Sequence, residues 1–162
     1  RIEMICGKRV LDYLNMVNDQ NHQISVKLSA KMDKTAQAVE RLQEENFRLK
    51  GQVGQMVDDM CRKEAERYAG SGSVLIFMDG MDADSVRKLA DAVTQTCQGC
   101  CAVFSKNADG SFKYAMGEKD GDLRQFTKEM NAKLNGRGGG KPFFVQGSVQ
   151  ATEEEIRRFF EQ

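Results

Sequence analysis

Ala69-Gly70-Ser71-Gly72-Ser73-Val74-Leu75-Ile76-Phe77-Met78 is the stretch at which the chain changes character. The glycine and serine residues read as a linker. The unbroken apolar run after them is the signature of a strand buried on both faces. Everything before it, from Lys8 to about Tyr68, lacks proline and follows a helical period. Everything after it alternates strand-like and helix-like segments, the pattern of a small sheet flanked by helices. The expected fold is therefore α+β: a long helical hairpin, or coiled-coil arm, followed by a small mixed α/β sheet domain.

Upstream of the linker, Val10, Leu14, Val17, Asn21, Ile24 and Leu28 step by four and three, the spacing of a coiled-coil seam. A second seam runs through Met32, Thr35, Val39, Leu42, Asn46, Leu49, Val53, Met56 and Met60. The two fall out of phase around Ser29-Ala30-Lys31-Met32-Asp33, where Ser29 and Asp33 are credible N-caps. This predicts an antiparallel hairpin over residues 8–28 and 33–68, one bent helix being the alternative. The second helix would reach roughly 50 Å, a length suited to positioning or dimerising something. Asn21 and Asn46 fall on core positions, where a polar side chain fixes register or partner number, unless the seam is wet there. Gly51 and Gly54 suit either close packing or a bend.

Downstream, Asp82 can cap a helix with Val86, Leu89, Ala90 and Val93 on one face, ending near Gly99. Cys100-Cys101-Ala102-Val103-Phe104-Ser105 reads as a strand, Asn107-Ala108-Asp109-Gly110 as a hairpin turn and Ser111–Met116 as the returning strand. A helix from Asp122 to about Leu134 presents Leu123, Phe126, Met130 and Leu134. A short strand at Phe143–Val145 follows, then a last helix with the capping-box pair Thr152 and Glu155.

Four of the five residues 136–140 are glycine, and Arg137 and Lys141 flank Gly138, Gly139 and Gly140 before the only proline, Pro142. A loop of this kind can aim consecutive N–H groups at a phosphate oxygen while the cations supply charge. Lys128 and Lys133 on the preceding helix would extend the patch. The stretch lacks the G-x-x-x-x-G-K-[ST] order of a nucleoside-triphosphate loop. A flexible linker is the plainer reading of the same glycines.

Lys plus Arg and Asp plus Glu both number 24, so the net charge of zero argues neither for nor against nucleic acid, and local patches must decide. No apolar run approaches the roughly 20 residues of a bilayer span, and no stretch of the chain reads as a signal peptide. The opening Ile2-Glu3-Met4-Ile5-Cys6-Gly7 reads as a strand ending on a turn, which suggests a fragment. Five cysteines in irregular spacing suit free thiols in a reducing cytoplasm. Zinc catalysis would need about three His or Cys ligands, and the single His22 has no companion, so no metal ligands and no catalytic residues are assigned. Cys97-Gln98-Gly99-Cys100 lacks the second pair of a zinc site and reads as buried thiols.

The chain from Leu134-Asn135-Gly136-Arg137-Gly138-Gly139-Gly140-Lys141-Pro142 through Phe143-Phe144-Val145-Gln146-Gly147 resembles the glycine-rich signature of the domain that ends alanyl-tRNA synthetases. Related domains follow the catalytic half of DHH-type phosphoesterases. Arg1-Ile2-Glu3-Met4-Ile5-Cys6-Gly7-Lys8-Arg9-Val10-Leu11-Asp12-Tyr13 is similar to the last strand and following helix of the alanyl-tRNA editing domain. Leu28-Ser29 through Val39-Glu40-Arg41-Leu42-Gln43-Glu44-Glu45-Asn46 resembles the helical linker of the same proteins. One departure is Gln146-Gly147-Ser148, where the family often shows Gln-Gly-Gly.

The resemblance implies a tail of an editing domain at 1–13, a helical hairpin at 14–68 and a nucleic-acid-binding domain at 69–162. It implies a parent that hydrolyses tRNA(Ala) mischarged with serine or glycine, a free-standing editing protein first and a synthetase second. Zinc would sit in the editing domain upstream, with no cofactor in this chain. The implied partners are tRNA, in first place tRNA(Ala), and a second copy, with no membrane. The second copy would pair either through the arm, where Val39, Leu42, Asn46, Leu49, Val53 and Met56 form the candidate seam, or through the globular domain. The alternatives are the substrate-binding domain of a DHH-type phosphoesterase acting on oligonucleotides, and a purely structural interaction protein.

Overall fold

The structure is a computed structural model that describes residues 6–161. The strand expected over Ile2–Ile5 lies outside the described residues. The chain divides into two compact units, Arg1–Gly54 and Gln55–Gln162.

In the first unit, helix α1 spans Lys8–Lys27 and is followed by a short 3-10 turn, Met32–Lys34, which leads directly into α2, Thr35–Arg67. Gly7 precedes α1 at φ 64°, a conformation that glycine adopts at little cost. The turn differs from expectation in its chemistry. Ser29 takes a left-handed φ of 49° and ends α1, and Asp33 lies inside the 3-10 turn, so neither caps a helix. Asn21 closes the turn instead: its Nδ2 donates to the Met32 carbonyl at 2.9 Å, and its Oδ1 accepts from Thr35 Oγ1 at 2.7 Å. The polar residue of the first seam thus ties α1 to the start of α2.

The seams do not bury one another along their length. Leu14, Leu42, Leu49 and Val53 are 55%, 55%, 46% and 59% exposed, and Asn46 is exposed as well. A Cβ at Gly51 or Gly54 would meet nothing within 4 Å, so neither marks a close packing contact, and α2 continues through both.

The second unit contains the end of α2 and five strands: β1 Val74–Phe77, β2 Cys101–Lys106, β3 Phe112–Gly117, β4 Arg137–Lys141 and β5 Phe144–Val149. The sheet order is β1-β2-β3-β5-β4, parallel only between β1 and β2. That parallel pair needs a crossover, supplied by α3, Ala83–Thr94, whose N-cap Asp82 accepts from the Ser85 N–H. The helix ends five residues short of Gly99. The hairpin between β2 and β3 turns at Gly110, φ 85°, and the Asp109 carboxylate accepts from both Ser111 N and Ser111 Oγ.

Alternation along each strand sends side chains to two cores. Val74, Ile76, Cys101, Val103 and Ala115 meet Val86, Leu89 and Val93 of α3 and Cys61 and Ala65 of α2. Phe104, Tyr114, Met116, Val145 and Val149 meet Leu123 and Met130 of α4, Leu123–Lys133, and Ile156 of α5, Glu153–Phe160. The sheet is therefore covered by α2 and α3 on one face and by α4 and α5 on the other. The expected capping box is present: Thr152 Oγ1 accepts from Glu155 N–H, and the Glu155 carboxylate accepts from Thr152 N–H at 2.7 Å. Cys61, Cys97 and Cys101 are buried free thiols. Burial, with Glu118 nearby, pushes the Cys100 thiol up to about 12, so it stays protonated near neutral pH.

Candidate nucleic-acid interface

The glycine stretch is not a loop. Arg137–Lys141 forms the edge strand β4, and every residue in it is exposed. Glycine weakens a strand interior, yet this one is held from both sides. Its register with β5 runs from Arg137 opposite Ser148 to Lys141 opposite Phe144. Behind it, Asn135 takes φ 48° after α4, Gly136 N–H donates to the Asn131 carbonyl, and Gln150 N–H donates to the Leu134 carbonyl. These bonds satisfy the helix end and deliver the chain into the sheet edge.

The glycines serve different ends. A Cβ at Gly138 would run into the Gln146 carbonyl and the Tyr114 hydroxyl, and one at Gly147 would strike the Arg137 carbonyl. Gly138 and Gly147 thus make room for the Tyr114 phenol, which is buried and donates to Asn131 Oδ1 at 3.1 Å. Asn131 Nδ2 reaches back to the Gly138 carbonyl at 3.4 Å. Gly140 is likewise closed in by the Phe144 carbonyl. At Gly139, by contrast, a Cβ would meet nothing within 4 Å. No packing requires glycine there, and its absent side chain leaves strand backbone bare between two cations.

Pairing places Arg137, Gly139 and Lys141 on the same face as Phe144, the α3 side. Across that face Lys113 lies opposite Ser148, which lies opposite Arg137, while Gln146 lies opposite Gly139. Lys113 Nζ donates to the Met81 carbonyl at 2.7 Å. Arg137 and Lys141 stand about 13 Å apart along the strand. A groove of about 340 Å³ runs beside this edge, lined by Arg87 and Asp91 of α3 together with Gly139, Lys141, Phe143 and Gln146.

The lysines of α4 fall elsewhere. Lys128 lines a groove of about 480 Å³ on the opposite face, with Arg124, Asp122 and the backbone of Gly138–Gly140. There Arg124 holds the Asp122 carboxyl at about 2 through hydrogen bonds to it. Lys133 Nζ sits 5.3 Å from the centroid of the Phe159 ring. The expected single patch is therefore split: Arg137 and Lys141 share the α3 side, Lys128 lies on the α4 side and Lys133 lies over the last helix. Arg87 and Lys113 were not among the sequence-assigned site residues because the packing of α3 and the register of β3, not spacing, bring them to this face, while Phe143 was assigned to a strand. His22 is exposed, and among the described residues no group of three or more His, Cys, Asp or Glu is placed to hold a metal ion. No helix among them is long and apolar enough to cross a membrane.

In the second unit a mixed sheet lies between two helical layers and leaves one glycine-built basic edge open. Residues 71–162 match the model of the DHHA1 domain, and the chain belongs to that family. It is similar to the alanine–tRNA ligase of Thiobacillus denitrificans, 27% identical over 157 residues covering 88% of this chain and 18% of that protein. It is also similar to the alanine–tRNA ligase of Dehalococcoides mccartyi, 27% identical over 160 residues covering 91% of this chain and 18% of the relative. The chain thus spans about a fifth of the length of these curated relatives. Among solved structures, the C-Ala domain from Aquifex aeolicus alanyl-tRNA synthetase superposes with a TM-score of 0.49 at 19% identity, covering 57% of this chain and 92% of that one.

Proposed function

We propose that this chain is a tRNA-holding module of an alanine–tRNA ligase-type or alanyl-tRNA editing protein, gripping the RNA backbone along β4. The observation that carries the reading is Gly139, a glycine that packing does not require, set between Arg137 and Lys141 on an open edge. A polyanion can approach such backbone closely while the two cations neutralise its phosphates. The likeness to ligases covers 88% of the chain, the helical stretch as well as the sheet, and so favours this parent over a phosphoesterase. Hydrolysis of mischarged tRNA(Ala), and the zinc it uses, belong in this reading to a domain upstream of the chain. The exposed seam of α2 is its pairing surface for a second copy.

The test is binding of a tRNA(Ala) transcript to the chain as a function of salt. Replacing Arg137 and Lys141 together by Ala removes two phosphate contacts. The slope of log affinity against log salt then falls by about 1.8, and affinity at low salt drops at least severalfold. Unchanged affinity and slope in the double variant sink the assignment of β4.

A further inference from the structure

Phosphate contact leaves one group at this edge unexplained. Phe143 sits in the turn between β4 and β5, is 50% exposed and belongs to neither core. The turn itself is anchored: Glu118 N–H donates to the Phe143 carbonyl at 3.0 Å, and Leu123 N–H to the Pro142 carbonyl at 2.7 Å. The backbone is thereby fixed while the ring is held out. Lys141 Nζ lies 5.8 Å from the ring centroid, so a cation and an aromatic face are presented together.

Beside them the groove offers the bare backbone of Gly139 and the exposed polar side chains of Gln146 and Asp91. The Arg87 guanidinium at its far wall is paired with Asp84 at 2.9 Å and adds attraction rather than a free fork. The groove's 340 Å³ is near the small end of ligand clefts, which run from about 300 to 1,000 Å³. That is room for one nucleotide.

We infer that this groove takes a single unpaired nucleotide, its base stacked on Phe143 and its phosphate held by Lys141 over Gly139. Resting on the nucleic-acid reading above, the inference adds that the module selects RNA with an unstacked base. A paired duplex hides its ring faces and would leave Phe143 in water, whereas an unpaired base has a face to give. Gln146 can donate to or accept from the base edge, and Asp91 can accept from an exocyclic amine.

The chain has no tryptophan, so Phe143→Trp installs a lone emitter at the platform. Titration with a short oligoadenylate should quench that emission saturably, while a fully paired RNA of equal length leaves it unchanged. Phe143→Ala should weaken oligoadenylate binding by about five- to a hundredfold, Phe143→Tyr should retain it, and all three variants should melt with the parent chain. Absence of quenching, together with full oligoadenylate affinity in Phe143→Ala, overturns the stacking site and leaves the Arg137 and Lys141 grip standing. Equal quenching by the duplex overturns it as well. A chain that binds neither RNA nor the tRNA transcript removes the proposed function along with this inference. Emission that shifts with protein concentration in the absence of RNA assigns Phe143 to a protein contact instead.

Discussion

Gly138 and Gly139 are adjacent on β4 and point to opposite faces, so the same change has different consequences at each. Ala at Gly138 forces its methyl group against the Tyr114 hydroxyl and the Gln146 carbonyl, and overpacking of this kind costs about 1–3 kcal/mol. Ala at Gly139 projects into open space and should shift stability by no more than about 0.5 kcal/mol. Thermal melts of the two variants check this: equal destabilisation would mean that Gly139 has a structural duty. The same Gly139→Ala chain should nonetheless bind the tRNA transcript more weakly, since its methyl stands between the cations. Loss of stability at Gly138 and loss of affinity at Gly139 together separate building the edge from using it.

At the scale of elements, carboxylates secure the starts of the downstream helices. Asp82 accepts from Ser85, Asp122 from Arg124, and Glu155 from Thr152, and these hydrogen bonds hold all three below their ordinary values, Asp122 at about 2. A carboxyl whose value is lower in the folded than in the unfolded chain binds fewer protons when folded. Its stabilisation is complete above the unfolded value and disappears as pH falls through the folded one. The denaturant midpoint should therefore stay level with respect to these groups down to about pH 5, then decline between about pH 4 and 2. Replacing Thr152 by Ala removes the hydroxyl half of the capping box and should cost about 1 kcal/mol at neutral pH. Ala keeps the backbone N–H that does most to lower Glu155, so the acid limb of that variant should change little. Glu155→Gln, by contrast, should make the limb shallower, and an unaltered limb in that variant would show that Glu155 does not contribute to it.

For the whole molecule the open question is what covers the seam. Val39, Leu42, Val53 and Met56 are 39%, 55%, 59% and 70% exposed on α2, yet they keep the three-four step that a partner helix reads. A second copy is the proposed cover. Sedimentation should give a dimer at micromolar concentration, and Leu42→Glu with Leu49→Glu should return it to monomer without altering the melting of the sheet unit. A parent chain that is monomeric at that concentration rules out self-pairing through this surface.

Local rules were enough for most of the architecture. The apolar run of β1, the turn at Asn107–Gly110, the cap Asp82 and the box at Thr152 depend on neighbours within a few residues, and each was legible in the sequence. The family signature was legible too, because it is a contiguous string. The glycine stretch was misjudged as a loop, since glycine composition signals freedom and not what restricts it. Only folding brought Tyr114 and Asn131, from a distant strand and the preceding helix, beneath Gly138 and made it part of a sheet. The turn after α1 was placed correctly but credited to Ser29 and Asp33, whereas the closing bonds come from Asn21, eleven residues before Met32. Which cations share a face was likewise decided by register: pairing with β5 turns Arg137 and Lys141 to the α3 side, whereas Lys128 of α4 lies on the other side. Sequence determined the elements and the family, because those are set by short-range chemistry. Tertiary structure decided the surface, because a sheet edge is assembled from residues that meet only when the strands pair.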